Sequence, residues 1–289
     1  MTGEVPSVAG GDGLQANGSY GSSGDAVKVR VDRVSKHFAA VSGEGKVHVV
    51  LDELSLDIKP GEFVSLIGPS GCGKSTLLEI IAGLQASTSG DVLLDGRAIT
   101  GPGPDRPVVF QEYALFPWRT VLDNVAFPLE VAKVRKTERY DQARARLEEV
   151  GLGSFADHYP SQLSGGMRQR AAIARALVRD PDVLLMDEPF GALDAITREL
   201  LQEQLRALHK LERKTIIFVT HSVPEAIRLS NRIIVMGIAP ARLVGVFELA
   251  EQGEANQANF ISRETAYADV RDAIWGLLRE HGAIASRGT

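Results

Sequence analysis

The fold is decided by one stretch of the chain, Gly68-Pro69-Ser70-Gly71-Cys72-Gly73-Lys74-Ser75-Thr76. It matches the pattern G-x-x-x-x-G-K-[S/T], in which glycines let the backbone turn its N–H groups toward phosphate oxygens. A short apolar run at residues 63–67 precedes it and a helical run at residues 77–82 follows it. This is the strand, loop and helix order that the pattern requires, and the start of that helix adds positive partial charge. The stretch therefore predicts a loop that binds the β- and γ-phosphates of a nucleotide.

Two side chains of this loop are suited to phosphate and metal binding. Lys74 supplies a positive charge to the phosphate oxygens, and the Ser75 hydroxyl is suited to ligate Mg²⁺. A carboxylate that organises the metal is expected at the end of a buried strand, and Asp187 ends the apolar run of residues 183–186. Pro189 then turns the chain out of the strand, which leaves Glu188 at the mouth of the site. We predict that Glu188 is the general base that activates water.

Two further polar residues follow apolar runs of the same kind. His221 comes after residues 215–220, and Gln111 comes after residues 107–110. Ligands gather at the carboxyl ends of strands in open α/β sheets. We therefore predict that His221 reaches the γ-phosphate and its water, although a single histidine is more often structural. Gln111 is predicted to touch Mg²⁺ or water as an uncharged sensor.

A second glycine-rich segment, here called the signature segment, is Leu163-Ser164-Gly165-Gly166-Met167. It precedes a helical run that is expected to extend from Met167 to about residue 179. The start of such a helix presents free N–H groups and a positive dipole end to an anion. We predict a second phosphate site here, with an ordinary helix cap as the alternative.

Taken in order, these motifs resemble the ATP-binding subunit of an ABC transporter over roughly residues 28 to 240. The resemblance implies an α/β fold of the P-loop NTPase type, with a RecA-like core, an antiparallel β subdomain and an inserted helical subdomain at about residues 112–180. It implies a head-to-tail dimer, in which Ser164, Gly165 and Gly166 close over ATP bound to the second copy. It also implies that Asp194 crosses the dimer interface and that Phe38 stacks on adenine. A core position is the alternative for Phe38.

An aromatic segment follows Gln111 and runs Tyr113-Ala114-Leu115-Phe116-Pro117-Trp118. By resemblance, it grips a short cytoplasmic helix of a membrane permease, and aromatic surfaces suit protein contacts. Packing inside the helical subdomain is the alternative for Phe116 and Trp118. The chain has no apolar run of 18 residues, so we expect separate permease subunits and a peripheral position at the cytoplasmic face of the membrane.

Composition agrees with one large domain that carries extensions. The chain has 289 residues, 44% of them hydrophobic, and a net charge of −5. It has no long basic run, so a nucleic-acid partner is not expected. Cys72 is its single cysteine, which excludes an internal disulfide. We read residues 1–26 as a flexible Gly/Ser-rich tail, residues 27–240 as the ATP-binding domain, and residues 241–289 as an extension with an amphipathic helix at residues 269–280.

Within ABC importers, residues 100–106, 109–118 and 187–194 resemble the nitrate, sulfonate and taurine subfamily. This implies an ATP-hydrolysing subunit that energises uptake of a small anion or zwitterion such as taurine, alkanesulfonate or nitrate, with a solute-binding protein as an indirect partner. Ser222, where the family usually has Asp, and the insertion at residues 39–48 depart from the pattern. The alternatives are an ABC ATPase of another transporter, including an exporter, and a soluble ABC ATPase outside transport. A non-hydrolysing interaction subunit is a further alternative.

Overall fold

The computed structural model describes residues 26–39, 47–238, 240–249 and 257–282, and it describes the side chains of the last segment for residues 267–281. The expected tail at residues 1–26 lies outside the described residues except for residue 26. Most of the insertion at residues 39–48 also lies outside them.

The described residues form strands and helices that are mixed along the chain. In chain order the strands are β1 (Val29–Ala39), β2 (Val47–Ile58), β3 (Phe63–Ile67), β4 (Ser89–Leu94), β5 (Arg97–Ala98), β6 (Val108–Val109), β7 (Val183–Asp187), β8 (Thr215–Val219), β9 (Arg232–Met236) and β10 (Leu243–Glu248). The helices are α1 (Lys74–Ala82), α2 (Val121–Val131), α3 (Lys136–Glu149), α4 (Gly165–Leu177), α5 (Ala195–Glu212), α6 (Val223–Leu229) and α7 (Gln257–Gly282).

The larger sheet has the strand order β10-β9-β3-β8-β7-β6. All neighbours in it are parallel except β10, which runs antiparallel to β9. Every residue of β3 and β8 is buried, as expected for parallel strands that are covered on both faces. Because β3, β7 and β8 are parallel neighbours, their carboxyl ends meet at one edge, and the three predicted functional segments leave the sheet there.

The smaller sheet is antiparallel, with the order β2-β1-β4-β5. Its apolar side chains share one core with helix α1, which follows the phosphate loop, and that core includes Val31, Leu56, Leu77 and Ile81. The antiparallel β subdomain that the resemblance implied is therefore present, and it packs directly behind the loop of residues 68–76.

Helices α2, α3 and the outer side of α4 form a third packed unit between Gln111 and β7. Its core includes Val125, Leu129, Leu147 and Ala171. The buried Asn124 side chain accepts from the N–H of Phe116 at 2.7 Å and donates to the carbonyl of Thr120 at 2.9 Å, so it fixes the loop that enters α2. These helices lie where the inserted helical subdomain was expected. Its boundaries at about residues 112 and 180 stay a prediction.

Two helices differ in extent from the sequence prediction. Helix α4 begins at Gly165 instead of Met167, because both glycines adopt helical backbone after Ser164. Helix α7 spans 26 residues, which is longer than the predicted 269–280. Its Ile274 is fully buried against residues of α6 and β9. None of the helices in the described ranges is long and apolar enough to cross a membrane.

Candidate nucleotide-binding and hydrolysis site

The loop between β3 and α1 has the shape that a phosphate requires. Gly73 has φ of 92°, a left-handed conformation that side-chain-bearing residues rarely adopt. At Gly68, an added Cβ would lie 2.5 Å from the carbonyl oxygen of Met236 and 2.7 Å from Cys72 Sγ. The backbone can therefore follow this path only with glycine at both positions, which keeps the loop close to the sheet edge.

Lys74 is the first residue of α1, and its ammonium group lies over the loop. Its side chain is buried, and Nζ donates to the carbonyl oxygens of Gly68 and Pro69, both at 2.9 Å. Cys72 is packed beneath it, and burial raises the pKa of the thiol despite the nearby positive charge. The loop thus holds one positive charge at a defined place and keeps its single thiol neutral.

Ser75 and Asp187 bring two oxygen ligands together. The Ser75 hydroxyl donates to Asp187 Oδ1 at 3.1 Å, which joins the start of α1 to the end of β7. Burial raises the pKa of the Asp187 carboxyl; the Ser75 hydrogen bond opposes this shift, and the neighbouring Glu188 charge adds to it. A hydroxyl and a carboxylate at this spacing fit Mg²⁺, which prefers hard oxygen ligands.

Glu188 and His221 form the second pair at the same edge. His221 Nδ1 lies 3.1 Å from Glu188 Oε2. The main chain positions the glutamate, because its N–H donates to the Val219 carbonyl at 2.9 Å and its φ of 44° turns the chain sharply out of β7. The histidine side chain is 63% exposed and that of the glutamate 26%. Both groups border a cleft into which water can enter.

Gln111 lies beside this cleft. A Cβ added to Gly191 would lie 3.3 Å from the Gln111 Nε2 atom, so the amide lies directly against the Gly191 backbone. Gly191 lines the cleft, and its N–H donates to the Glu188 carbonyl at 3.1 Å. The structure therefore brings Gln111, Glu188 and His221 to one place. The sensor role of Gln111 stays a prediction.

The signature segment forms the start of helix α4. Ser164 caps α4, and its Oγ accepts from the N–H of Met167 at 3.3 Å. Gly166 packs on α5, where an added Cβ would lie 2.3 Å from Thr197 Cγ2. Helix α4 packs beside β6, which is three strand spacings from β3, or about 14 Å. The atoms nearest to Gly165 and Gly166 belong to Tyr113, Leu193, Thr197 and Leu201, so the start of α4 packs against residues outside the phosphate loop.

Two residues assigned by resemblance lie on the surface. Asp194 caps α5 and accepts from the Thr197 N–H at 3.0 Å, and this hydrogen bond lowers the pKa of its carboxyl. The Phe38 ring is 38% exposed, with Lys36 Nζ 5.0 Å from its centroid. The structure therefore excludes a core position for Phe38, and stacking on adenine stays a prediction.

The aromatic segment after Gln111 combines packing with exposure. Phe116 packs edge-on against Phe127, with ring centroids 4.8 Å apart. Trp118 lies 5.6 Å from Phe116 and is 71% exposed. Arg175 of α4 donates to the carbonyls of Tyr113 and Ala114 at 3.1 and 2.6 Å. One aromatic ring thus anchors the segment while the other faces outward, and the segment is tied to the helix of the signature segment.

Sequence reasoning missed a set of buried and half-buried polar residues at the cleft that His221 borders. Thr220, Glu225 and Arg198 line the cleft, and Gln202 donates to Glu225 from α5. A signal was present, because serine followed three residues later by glutamate is a helix N-terminal pattern. Ser222 does accept from the Glu225 N–H, at 3.4 Å, so its side chain caps helix α6.

Comparison with known proteins assigns the family. A family model described as ABC transporter matches residues 51–191. An uncharacterised ABC transporter ATP-binding protein of Methanocaldococcus jannaschii is 51% identical over 223 residues, which cover 77% of this chain and 82% of that protein. The chain belongs to the ABC transporter ATP-binding proteins. The predicted fold class and the ATP-hydrolysing activity of this ABC protein are thereby confirmed.

Two further relatives carry named transport functions. The taurine import ATP-binding protein of Rhizobium johnstonii is 47% identical over 256 residues, which cover 86% of this ABC protein and 96% of the relative. The nitrate import ATP-binding protein of Synechococcus elongatus is 44% identical over 257 residues, which cover 88% of this chain and 39% of the relative. A solved dimeric ATP-binding cassette, in a post-hydrolysis state with ADP and Pi, has a TM-score of 0.68 and 37% identity, and the match covers 77% of this chain and 99% of that one.

Proposed function

We propose that this ABC protein is the ATP-hydrolysing subunit of an importer for a small anion or zwitterion, with taurine ahead of alkanesulfonate and nitrate. The observation that supports import of taurine is the similarity to a taurine import ATP-binding protein along 96% of the length of that relative. A solute-binding protein and a membrane permease would select the solute. This chain would hydrolyse the ATP that drives uptake.

The phosphate loop and its neighbours would hold the nucleotide. We assign the backbone of Gly68, Pro69, Ser70, Gly71, Cys72 and Gly73, with Lys74 and Thr76 in the first turn of α1, to the β- and γ-phosphates. The Ser75 hydroxyl and the Asp187 carboxylate lie 3.1 Å apart and would hold Mg²⁺, and we assign Gln111 to the same metal or to its water. The metal would neutralise the charge that develops on the phosphate oxygens.

Glu188 and His221 would act on the attacking water. A carboxylate only accepts hydrogen bonds, so the contact of 3.1 Å requires the imidazole proton to be on Nδ1. The histidine then holds Oε2 in place, and Oε1 of the glutamate is the atom that would take the proton from water. This arrangement supports Glu188 as general base and His221 as the group that orients it.

A second copy of the chain would complete each site. Ser164, Gly165 and Gly166 form the start of a 13-residue helix, where N–H groups and the dipole favour a phosphate. Within its own chain this helix start packs against residues outside the phosphate loop. A head-to-tail dimer would bring the two together, with Asp194 near the interface. Because half of each site comes from the partner, ATP use would be coupled to closure of the dimer.

Trp118 would contact the permease. Its ring is mostly exposed, whereas Phe116 beside it is anchored by Phe127. Arg175 links this segment to α4, so movement of the signature helix would be passed to the aromatic surface. We place the protein at the cytoplasmic face of the membrane on this basis.

Uptake by a deletion strain tests the proposed function. The strain would be supplied separately with taurine, an alkanesulfonate and nitrate, and complemented with the wild type, with Glu188→Gln or with Trp118→Ala. We expect taurine uptake to require this chain, and we expect wild type alone to restore it. A purified Trp118→Ala protein should hydrolyse ATP normally, because its defect lies in permease contact. Normal taurine uptake without the chain would contradict the assigned solute.

A further inference from the structure

The residues on both sides of His221 are held by a buried carboxylate that the proposed reaction does not use. Glu225 lies in the first turn of α6 and is 7% exposed. Its Oε2 accepts a hydrogen bond of 2.5 Å from the Thr220 hydroxyl. Thr220 Oγ1 in turn accepts from the main-chain N–H of Ser222 at 3.0 Å. The Thr220 side chain, held by Glu225, therefore connects the residues immediately before and after the histidine.

The other carboxylate oxygen ties this loop to helix α5. Glu225 Oε1 accepts from Gln202 Nε2 at 2.8 Å, and Gln202 is also buried. Gln202 Oε1 accepts from Arg228 Nη1 at 3.4 Å, which brings a positive charge to the far side of the amide. Because both oxygens of the buried carboxylate are bonded, its charge is held in one place by a partner from helix α5 and a partner from the loop after β8.

His221 needs such a support. Its side chain is 63% exposed, so packing does little to fix the ring, and its direction depends on the backbone that carries it. That backbone is bonded to Glu225 through Thr220 and Ser222. The helix that holds Gln202 also begins at Asp194, beside the predicted dimer interface.

We propose that Glu225 is a positioning residue for ATP hydrolysis. Through Thr220 and Ser222 it orients the His221 imidazole toward Glu188. Through Gln202 it connects this orientation to helix α5. The inference rests on the proposed role of His221 in hydrolysis and extends it to residues that do not touch the nucleotide. Its prediction is a loss of turnover with no loss of ATP binding.

The first test removes the Thr220 hydroxyl at nearly constant volume. In steady-state ATPase assays of the purified full chain, Thr220→Val should lower kcat by roughly tenfold to a hundredfold, the scale of a small misplacement. Affinity for a fluorescent ATP analogue should not change, because the phosphate loop is intact. Thr220→Ser keeps the hydroxyl and should retain wild-type kcat. Normal turnover of Thr220→Val, or equal losses in both variants, would overturn the proposal.

A double-mutant cycle separates positioning from general destabilisation. If Thr220 acts through His221, Thr220→Val should cause no further loss of kcat in a His221→Ala background. Multiplying losses would show that the two residues act independently. Glu62→Gln is the matched control: Glu62 is a partly buried carboxylate paired with Arg232 at 2.8 Å at the other end of β3. It should lower thermal stability but leave kcat per folded molecule unchanged.

The same assays distinguish this inference from the proposed function. Normal hydrolysis by His221→Ala would remove the proposed role of His221, and the positioning role would fall with it. Slow hydrolysis by His221→Ala together with normal hydrolysis by Thr220→Val would refute the positioning role alone. Glu225→Gln replaces one acceptor oxygen with an amide nitrogen, so it cannot accept from both Thr220 and Gln202 through separate oxygens. Its kcat should match that of Thr220→Val.

Discussion

The sheet edge that carries the phosphate loop and the signature segment both present a helix start that is suited to an anion. Only the sheet edge also brings charged side chains to that place within one chain. At the loop edge, Lys74 is bonded to the loop backbone, Ser75 to Asp187, and His221 lies within hydrogen-bonding distance of Glu188, so groups that follow three neighbouring strands meet in pairs. At the signature segment, a helix start capped by Ser164 stands without charged groups in the segment itself. The first region is suited to bind and cleave a nucleotide, and the second is suited to recognise an anion that another chain presents.

Removing the general base should have the largest effect. Glu188→Gln keeps the shape of the loop edge but cannot take a proton from water, so we expect kcat to fall by about 10² to 10⁴ with ATP still bound. ATPase kinetics and binding of a fluorescent ATP analogue measure the two quantities separately. Glu203→Gln, an exposed change on α5, is the charge-matched control. Near-normal turnover of Glu188→Gln would show that the base lies elsewhere.

A negative charge at the signature segment tests the second region. Ser164→Asp retains a good helix cap but places a like charge where the phosphate of the partner is expected. Two like charges about 4 Å apart repel each other by about 1 kcal/mol in water and about 4 kcal/mol near a protein surface. ATPase activity should therefore fall, while ATP binding to the isolated chain persists. Ser164→Asn, which caps equally well without charge, should stay close to wild type.

Mixing variants sharpens this test. A dimer of one Lys74→Ala chain and one Ser164→Asp chain has one intact composite site, whereas a dimer in which one chain carries both changes has none. The first mixture should regain activity over either single variant. Absence of any gain would contradict the head-to-tail arrangement.

Lys74→Ala should weaken nucleotide binding. Hydrogen bonds to charged groups contribute about 1.5–3 kcal/mol, so the affinity for ATP should fall by roughly tenfold to 150-fold. Equilibrium binding of a fluorescent analogue measures this loss, and the exposed Lys210→Ala change on α5 is the control. Unchanged affinity would mean that the ammonium group does not face the phosphates.

The smallest expected effect concerns Asp194, which caps helix α5. Its folded-state pKa lies below the usual 3.8 because the carboxylate accepts from the Thr197 N–H. Its contribution to stability is therefore present above that pH and is lost as the pH falls through the folded-state pKa. We expect Asp194→Ala to lower the melting temperature slightly near neutral pH, with the difference shrinking below about pH 4. A constant difference across this range would exclude the charged cap as its cause.

Several parts of the site follow from local sequence alone. The loop at residues 68–76 and the capped start of α4 depend on glycine and serine at fixed spacing, and backbone sterics and capping act over a few residues. Asp187 and Glu188 could be assigned because an apolar run followed by carboxylates and proline marks a strand end. The start of α4 was misplaced by two residues because glycine has no preference that distinguishes a loop from a first helical turn.

Other features depended on the tertiary structure, because they join residues far apart in the chain. The sheet order β9-β3-β8-β7 places His221 beside Glu188 and Ser75 beside Asp187, and no local pattern specifies which strands become neighbours. The exposure of Phe38 and Trp118 depends on what packs next to each ring. The network of Glu225, Gln202 and Thr220 was missed, because the spacing of Ser222 and Glu225 indicates a helix start but does not indicate which polar side chains the packing of α5 against α6 buries. The sequence alone determined which chemical groups the protein has, and the long-range packing decided which of them meet.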